Sequence, residues 1–147
     1  MATRVLIAGG GVAALEAALA LRELGEGRVS VEMLAPEPEF WYRPLAVAEP
    51  FYLGEVRHFD LAELAAAAGA TFSRGALSGG DAGSRLAQTS VGSSVPYDVL
   101  LVACGASPIA AVPGALTFRG PVDTERIRTL LQEIVVGRVE RVAFGVP

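Results

Sequence analysis

Gly9, Gly11 and Ala14 are spaced Gly-x-Gly-x-x-Ala within "RVLIAGGGVAALEAALALREL", residues Arg4 to Leu24. That spacing suits the holding of a phosphate, and each position has its own task. The first glycine permits a tight turn. The second, lacking Cβ, lets a pyrophosphate approach the backbone. The third small residue lets a helix pack closely on a strand. Gly10, Val12 and Ala13 complete the loop and the first helical turn, where free N–H groups and the positive end of the helix dipole meet the anion. The competing reading is a tight turn that binds nothing.

A dinucleotide site of this kind also calls for an acid about 20 residues on, to accept from the ribose hydroxyls. The natural position is the end of the second strand, and Ala35 stands there. Glu32 lies inside that strand. Glu37, two residues beyond Ala35, can reach back from the loop. Glu37 as the substitute acid and a ribose with no acid at all both stay open.

Elements of definite kinds must position these residues. Arg4–Ala8 reads as a fully buried strand, short and apolar on both faces. Val12–Leu24 reads as a helix stopped by Gly25 and Gly27. Val29–Leu34 is the second strand, giving a β-α-β unit. Residues 35–52, "APEPEFWYRPLAVAEPFY", carry four prolines that forbid a regular helix or a central strand. Loops of this length in a compact domain are usually functional. Asp60–Ala68 reads as a short helix, capped by Asp60 with Glu63 and stopped by Gly69. Thr71–Ser73, Ala76–Leu77, Arg85–Thr89 and Val95–Tyr97 read as an antiparallel meander. Asp98–Ala103 is another buried strand. Asp123 caps a helix to about Val136, and Val139–Phe144 begins one more strand.

The expected fold class is therefore α/β: a Rossmann-like three-layer domain with a parallel sheet plus a small antiparallel meander. Its 147 residues suit one domain. The net charge is −4, with no basic stripe, so nucleic acid is not an expected partner. Counting glycine and leaving out tyrosine, the apolar fraction is about 62%, against about 45–50% in ordinary domains. Such an excess points to surface covered by a cofactor, a partner or further chain, and makes a homodimer through uncovered apolar surface an expectation. The single cysteine, Cys104, permits no internal disulfide or dithiol redox pair. Gly9–Gly11 and Glu16 interrupt the N-terminal apolar run, which argues against a secretory signal. No apolar run approaches the roughly 18 residues of a membrane span. The expected location is cytoplasmic.

Taken together, the N-terminal glycine motif, the loop "FWYRPLA", the meander and "YDVLLVACGASP" resemble the FAD-binding domain of the pyridine nucleotide-disulfide oxidoreductase superfamily. In style the chain is similar to type II NADH dehydrogenases and sulfide:quinone reductases. The likeness covers nearly the whole chain, and "YDVLLVACG" is its more specific part. It implies that Gly9, Gly11 and Ala14 hold the FAD pyrophosphate and that Ala103, Cys104 and Gly105 pass near it. Leu77 would offer backbone hydrogen bonds to the adenine. Arg43 and Pro44 would lie near the pyrophosphate or the ribityl chain. NAD(P)H would use a second Rossmann domain, handing a hydride to the flavin and on to a quinone or other acceptor. On this reading residues 1–137 are an incomplete FAD-binding domain. Residues 138–147 are the first strand of a truncated NAD(P)-binding domain, and the chain alone is inactive. Two departures stand out: Ala35 replaces the usual acid, and Cys104 replaces the usual threonine in Ala-Thr-Gly. The alternatives are a small nucleotide-binding module without catalysis and a structural remnant that binds nothing.

Single residues have plain readings beside these. Cys104 after a buried strand is expected as a small buried residue. His58 stands alone in the sequence and is expected as a loop or solvated histidine, unable to make a metal site without other ligands. Trp41 and Tyr42 pack either in an ordinary core or against a flavin or further domain. Glu16 is expected on a solvated helix face.

Overall fold

The structure, a computed structural model, describes residues 2–106, 109–110 and 112–145. It divides into two compact units, residues 1–41 with 58–105 and residues 42–57 with 106–147.

The first unit is built on a four-stranded parallel sheet. β1 (Thr3–Ala8), β2 (Val29–Ala35), β5 (Ala70–Arg74) and β9 (Val99–Val102) lie in the order β5-β2-β1-β9. Alternation along β1 explains the unbroken apolar run. Val5 and Ile7 face one way, with Val31 and Met33 of β2, against α1 (Val12–Leu24) and α2 (Leu61–Ala67). Leu6 and Leu34 face the other way, against Ala87 and Tyr97. A strand covered on both faces needs no polar positions. Each fully buried Leu, Ile or Met contributes about 2 kcal/mol relative to exposure.

The second face is covered by an antiparallel sheet of β6 (Leu77–Asp81), β7 (Leu86–Thr89) and β8 (Ser94–Pro96). Helices, parallel sheet and meander thus form the three expected layers. One strand belongs elsewhere than expected: Thr71–Ser73 lies in β5, paired in parallel with β2 from Val31↔Ala70 to Ala35↔Arg74. The reason is packing. Ala70 and Phe72 turn to the helical face of the core, and α2 is the crossover that brings them there. The meander keeps three strands, with the register shifting between Leu77 and Gly79.

Within the proline-rich stretch, β3 (Glu39–Trp41) pairs with β4 (His58–Asp60), as a two-stranded antiparallel ribbon. Residues Arg43–Val47 and Glu49–Phe51 are 3-10 turns with proline in the first turn, as its fixed φ and missing N–H favour. Asp60 caps α2 as expected, accepting from the Glu63 N–H at 2.9 Å.

In the second unit, α3 (Thr124–Val135) packs on the Glu49–Phe51 turn. Thr124 Oγ1 donates to Glu49 Oε2 at 3.1 Å, and Arg128 Nη2 donates to the Glu49 carbonyl at 3.0 Å. The Arg128 guanidinium lies 4.2 Å over the Tyr52 ring. Asp123 precedes α3 but does not cap it with its side chain. Its carboxylate instead accepts from the Arg119 backbone N–H, Nε and Nη2 at 2.9, 2.9 and 2.8 Å. A bidentate guanidinium outcompetes a neutral backbone donor. The strand expected at Val139–Phe144 is not formed: these residues carry no ladder pairing. A strand exists through its ladder hydrogen bonds to a neighbour, and residues 139–144 make none among the described residues.

Candidate functional site

In an open parallel sheet, ligands bind outside the carboxyl ends of the strands, where the strand order reverses. Here the chain moves from β1 outward through β2 to β5, then returns to place β9 on the other side of β1. The reversal falls between β1 and β9. Gly9, Gly10 and Gly11 leave β1 at that point, and Ala103, Cys104 and Gly105 leave β9 beside them.

The two strand ends are joined closely. The Ala103 N–H donates to the Ala8 carbonyl at 2.7 Å, and the Gly9 N–H donates to the Leu34 carbonyl at 2.8 Å. Each glycine has a distinct surrounding. A Cβ on Gly9, whose φ is +143°, would stand 2.2 Å from the Ala103 carbonyl oxygen. A Cβ on Gly10 would meet Leu61 Cδ2 at 2.5 Å and Ala35 Cβ at 2.9 Å. A Cβ on Gly11 would meet nothing within 4 Å. Gly9 and Gly10 are thus demanded by the protein's own packing. Gly11 is not, and its open side is where an anion can approach the backbone.

Gly11 is the N-cap of α1 and has no side chain to satisfy the first N–H groups. The N–H groups of Ala14 and Leu15 donate to the Gly11 carbonyl, both at 3.1 Å. Earlier amides of the first turn, at Val12 and Ala13, stay available to a ligand, as helix N-termini do. Ala14 is fully buried against the sheet, and with Ala18 it lets α1 sit close to the strands. These features fit the pyrophosphate of a dinucleotide.

On the other side of the loop from β9 lie the ends of β2 and β5. Ala35 ends β2 and is 2% exposed. Glu32 is committed within the sheet, accepting from Ser73 Oγ at 2.6 Å. Glu37 is exposed in the turn after β2 and makes no hydrogen bond among the described residues. Leu77 opens β6, half-buried beside Leu6 and Leu34. Arg74 and Gly75 lead to it from the end of β5, with the Gly75 N–H donating to the Ala35 carbonyl at 2.9 Å.

Cys104 departs from expectation: it is exposed, because β9 ends at Val102 and the chain has already left the sheet. Its thiol donates to the Ala8 carbonyl at 3.4 Å. His58 is solvent-exposed, as expected, but is neither alone nor in a loop. It lies in β4, its ring stacked on Trp41 at 4.4 Å, with Nδ1 3.3 Å from Glu39 Oε2. The pairing Trp41↔His58 and Glu39↔Asp60 makes Glu39 a diagonal neighbour of His58. Sequence separation hid that carboxylate, and only the β3–β4 pairing reveals it.

Arg43 and Pro44 belong to the second unit. There Arg43, Ala46, Val47, Phe118 and Arg119 line a cleft of about 410 Å³. The Arg119 guanidinium is committed to Asp123, whose carboxyl it holds well below the usual carboxylate range. Arg43 has no carboxylate within 4.0 Å among the described residues, so it can pair with a ligand anion. No group of three or more potential metal ligands occurs among the described residues. No described helix is long and apolar enough to cross a membrane.

No protein-family model matches the sequence, and no curated protein matches it. Solved structures do. The sulfide:quinone oxidoreductase of Aquifex aeolicus superposes with a TM-score of 0.81 at 20% identity, covering 92% of this chain and 33% of that one. NDH2 from Plasmodium falciparum in complex with NADH gives a TM-score of 0.69 at 14% identity, covering 95% and 32%. The NADH:rubredoxin oxidoreductase of Clostridium acetobutylicum gives 0.64 at 18% identity, covering 90% and 36%. The chain spans about a third of the length of these proteins. Its three-layer architecture, with the glycine loop at the reversal of strand order, is a Rossmann-like fold shared with these structures.

Proposed function

We propose that this chain is the FAD-binding part of a flavin-dependent NAD(P)H oxidoreductase, passing hydride from nicotinamide to flavin and on to a quinone or other acceptor. The observation that carries the reading is the contrast between the glycines. Gly9 and Gly10 are filled by the protein, while Gly11 stays open at the start of α1, at the switch point of the sheet. The names of the similar structures, sulfide:quinone and NADH:rubredoxin oxidoreductases, support this chemistry.

Bound FAD supplies the hydride and electron chemistry, and the protein supplies placement. Gly11, Val12 and Ala13 offer backbone N–H groups to the pyrophosphate. Ala103 to Gly105 form the opposite lip. Leu77 offers its backbone to the adenine. Arg43 and Pro44 are assigned to the same ligand by their motif. Residues 138–147 lead into the nicotinamide-binding part.

The test is spectral and thermal. The purified chain is scanned for flavin absorbance, then melted with added FAD, FMN, NAD or ADP. Flavin bands, or a melting rise specific to FAD, support the proposal, since a ligand binding only the folded state stabilises it. Stabilisation by ADP with no preference for FAD favours a nucleotide-binding module without catalysis. That second reading draws on the absent strand-end acid at Ala35. A colourless protein that responds to none of the four overturns both.

A further inference from the structure

β9 is one border of the parallel sheet. Among the described residues it pairs with β1 and has no strand on its other side. The Ala103 N–H points to β1, since it donates to the Ala8 carbonyl. Backbone groups alternate in direction along a strand. The N–H and C=O groups of Leu100 and Val102 therefore point outward from the free edge. Val99 and Val102 are exposed there, Val102 by 64%. Edges that stay unpaired are ordinarily blunted by lysine, proline or a bulge. Residues 99–106, "VLLVACGA", hold no charge and no proline. The register with β1 runs without a bulge from Val5↔Val99 to Ala8↔Val102. The charge next to the strand, on Asp98, is already committed to the Arg4 guanidinium.

In a twofold interface each patch meets its own copy, so any charge on it would meet its like. An edge without charge suits that arrangement and gives an acidic or basic partner nothing to pair with. We infer that β9 is a self-association edge, on which the β9 strand of a second copy pairs antiparallel about a twofold axis normal to the sheet. The outward groups set the register. Leu100 exchanges both backbone hydrogen bonds with Val102 of the second copy, and Val102 does the same with Leu100 of the second copy. Leu101 then faces Leu101 of the second copy across the axis. Opposite residues lie on the same face, so each copy keeps its helices over one face and its meander over the other. The pairing ends at Ala103, before Cys104 and Gly105. It draws nothing from the reading of the glycine loop.

The test is sedimentation of the 147-residue chain, without nucleotide, from about 1 μM to about 1 mM. The wild type is expected to pass from monomer to dimer within that range. Val102→Pro removes an outward N–H that β1 does not use, so the monomer tolerates it. It should weaken the dimer about 10-fold or more, since two hydrogen bonds are lost per dimer. Val102→Lys should do the same by setting like charges on the joined edges. Urea midpoints taken where the wild type is monomeric establish that both variants fold. A disulfide checks the register. In a Cys104→Ser background, Leu101→Cys should oxidise to a covalent dimer, because facing residues of that kind lie about 4.5 Å apart at Cα. Val99→Cys should not, because it faces Ala103 of the second copy. A chain that stays monomeric at about 1 mM overturns the inference. So does a dimer that Val102→Pro leaves unchanged, or one that cross-links through Val99→Cys and not through Leu101→Cys.

Discussion

The Cα of Gly9 faces the carbonyl of Ala103 so closely that a Cβ on it would lie 2.2 Å from the oxygen. Two residues later, Gly11 has the same missing side chain and faces open space. The two glycines look equivalent in the motif. One is required by folding, and the other is left for a ligand.

That contrast makes a paired prediction. Gly9→Ala combines a positive φ with a backbone clash and should cost about 2–4 kcal/mol, the range of severe core and strain defects. Gly11→Ala, at φ −90°, should move stability little. It should weaken nucleotide binding about 10-fold or more, since the added methyl occupies the approach to the N–H groups. Urea melts and nucleotide titrations of the two variants check this, and the opposite ranking would assign the glycines the other way.

Leu61 and Gly10 should be coupled. Leu61→Ala alone removes a buried side chain and should cost about 3 kcal/mol. Gly10→Ala alone collides with Leu61 Cδ2. The double variant should be more stable than the sum of the two losses predicts, by about 1 kcal/mol, with the remaining Ala35 contact limiting the relief. A double-mutant cycle by chemical denaturation measures that difference.

Asp98 ties the start of β9 to the start of β1. It accepts from the Arg4 backbone N–H at 2.8 Å, from Nε at 3.1 Å and from Nη2 at 3.0 Å. The Arg4 guanidinium, and then its backbone N–H, lower the Asp98 pKa from 3.8 to about 2. A carboxyl held lower in the folded chain than in the unfolded one stabilises the fold above the unfolded value. That contribution is lost as pH falls from about 4 through about 2. The stability gap between wild type and Asp98→Asn should therefore be constant from pH 5 to pH 8, about the neutral range. It should shrink steadily below pH 4, roughly the unfolded value. Denaturation midpoints across that series test it, and a gap that widened in acid would contradict the assignment.

Asp60→Ala should destabilise the first unit by about 1 kcal/mol, the usual value of an N-cap. Its Oδ1 accepts from the Glu63 N–H, and α2 is too short to hold its first turn without help. Asp60→Asn should recover most of the loss. Urea midpoints of the two variants give the comparison.

What the sequence made legible was local. The glycine spacing, the apolar strands near Arg4–Ala8, Val29–Leu34 and Asp98–Ala103, the Val12–Leu24 helix and the Asp60 cap each depend on residues within one or two turns of each other, and these appear where the pattern puts them. Strand partnership is not local. Thr71–Ser73 carries the same alternating pattern whether it joins the meander or the parallel sheet, and the crossover through α2 decides for the sheet. Glu39 and His58 are separated by the whole proline-rich loop, and only the β3–β4 ladder brings them together. Asp123 has the residue type and position of a helix cap, yet Arg119 takes its carboxylate, because a bidentate ion pair outbids a single backbone N–H.

The candidate site divides the same way. The motif alone named Gly9, Gly11 and Ala14 as a phosphate loop and registered that Ala35 is not an acid. Only the tertiary structure separated the packed glycines from the open one, because that depends on Ala103 and Leu61, which approach from distant strands and helices. Only the ladder set Arg74 beside the end of β2, since a strand's partner across a sheet is fixed by packing of the whole core and not by neighbours in the chain.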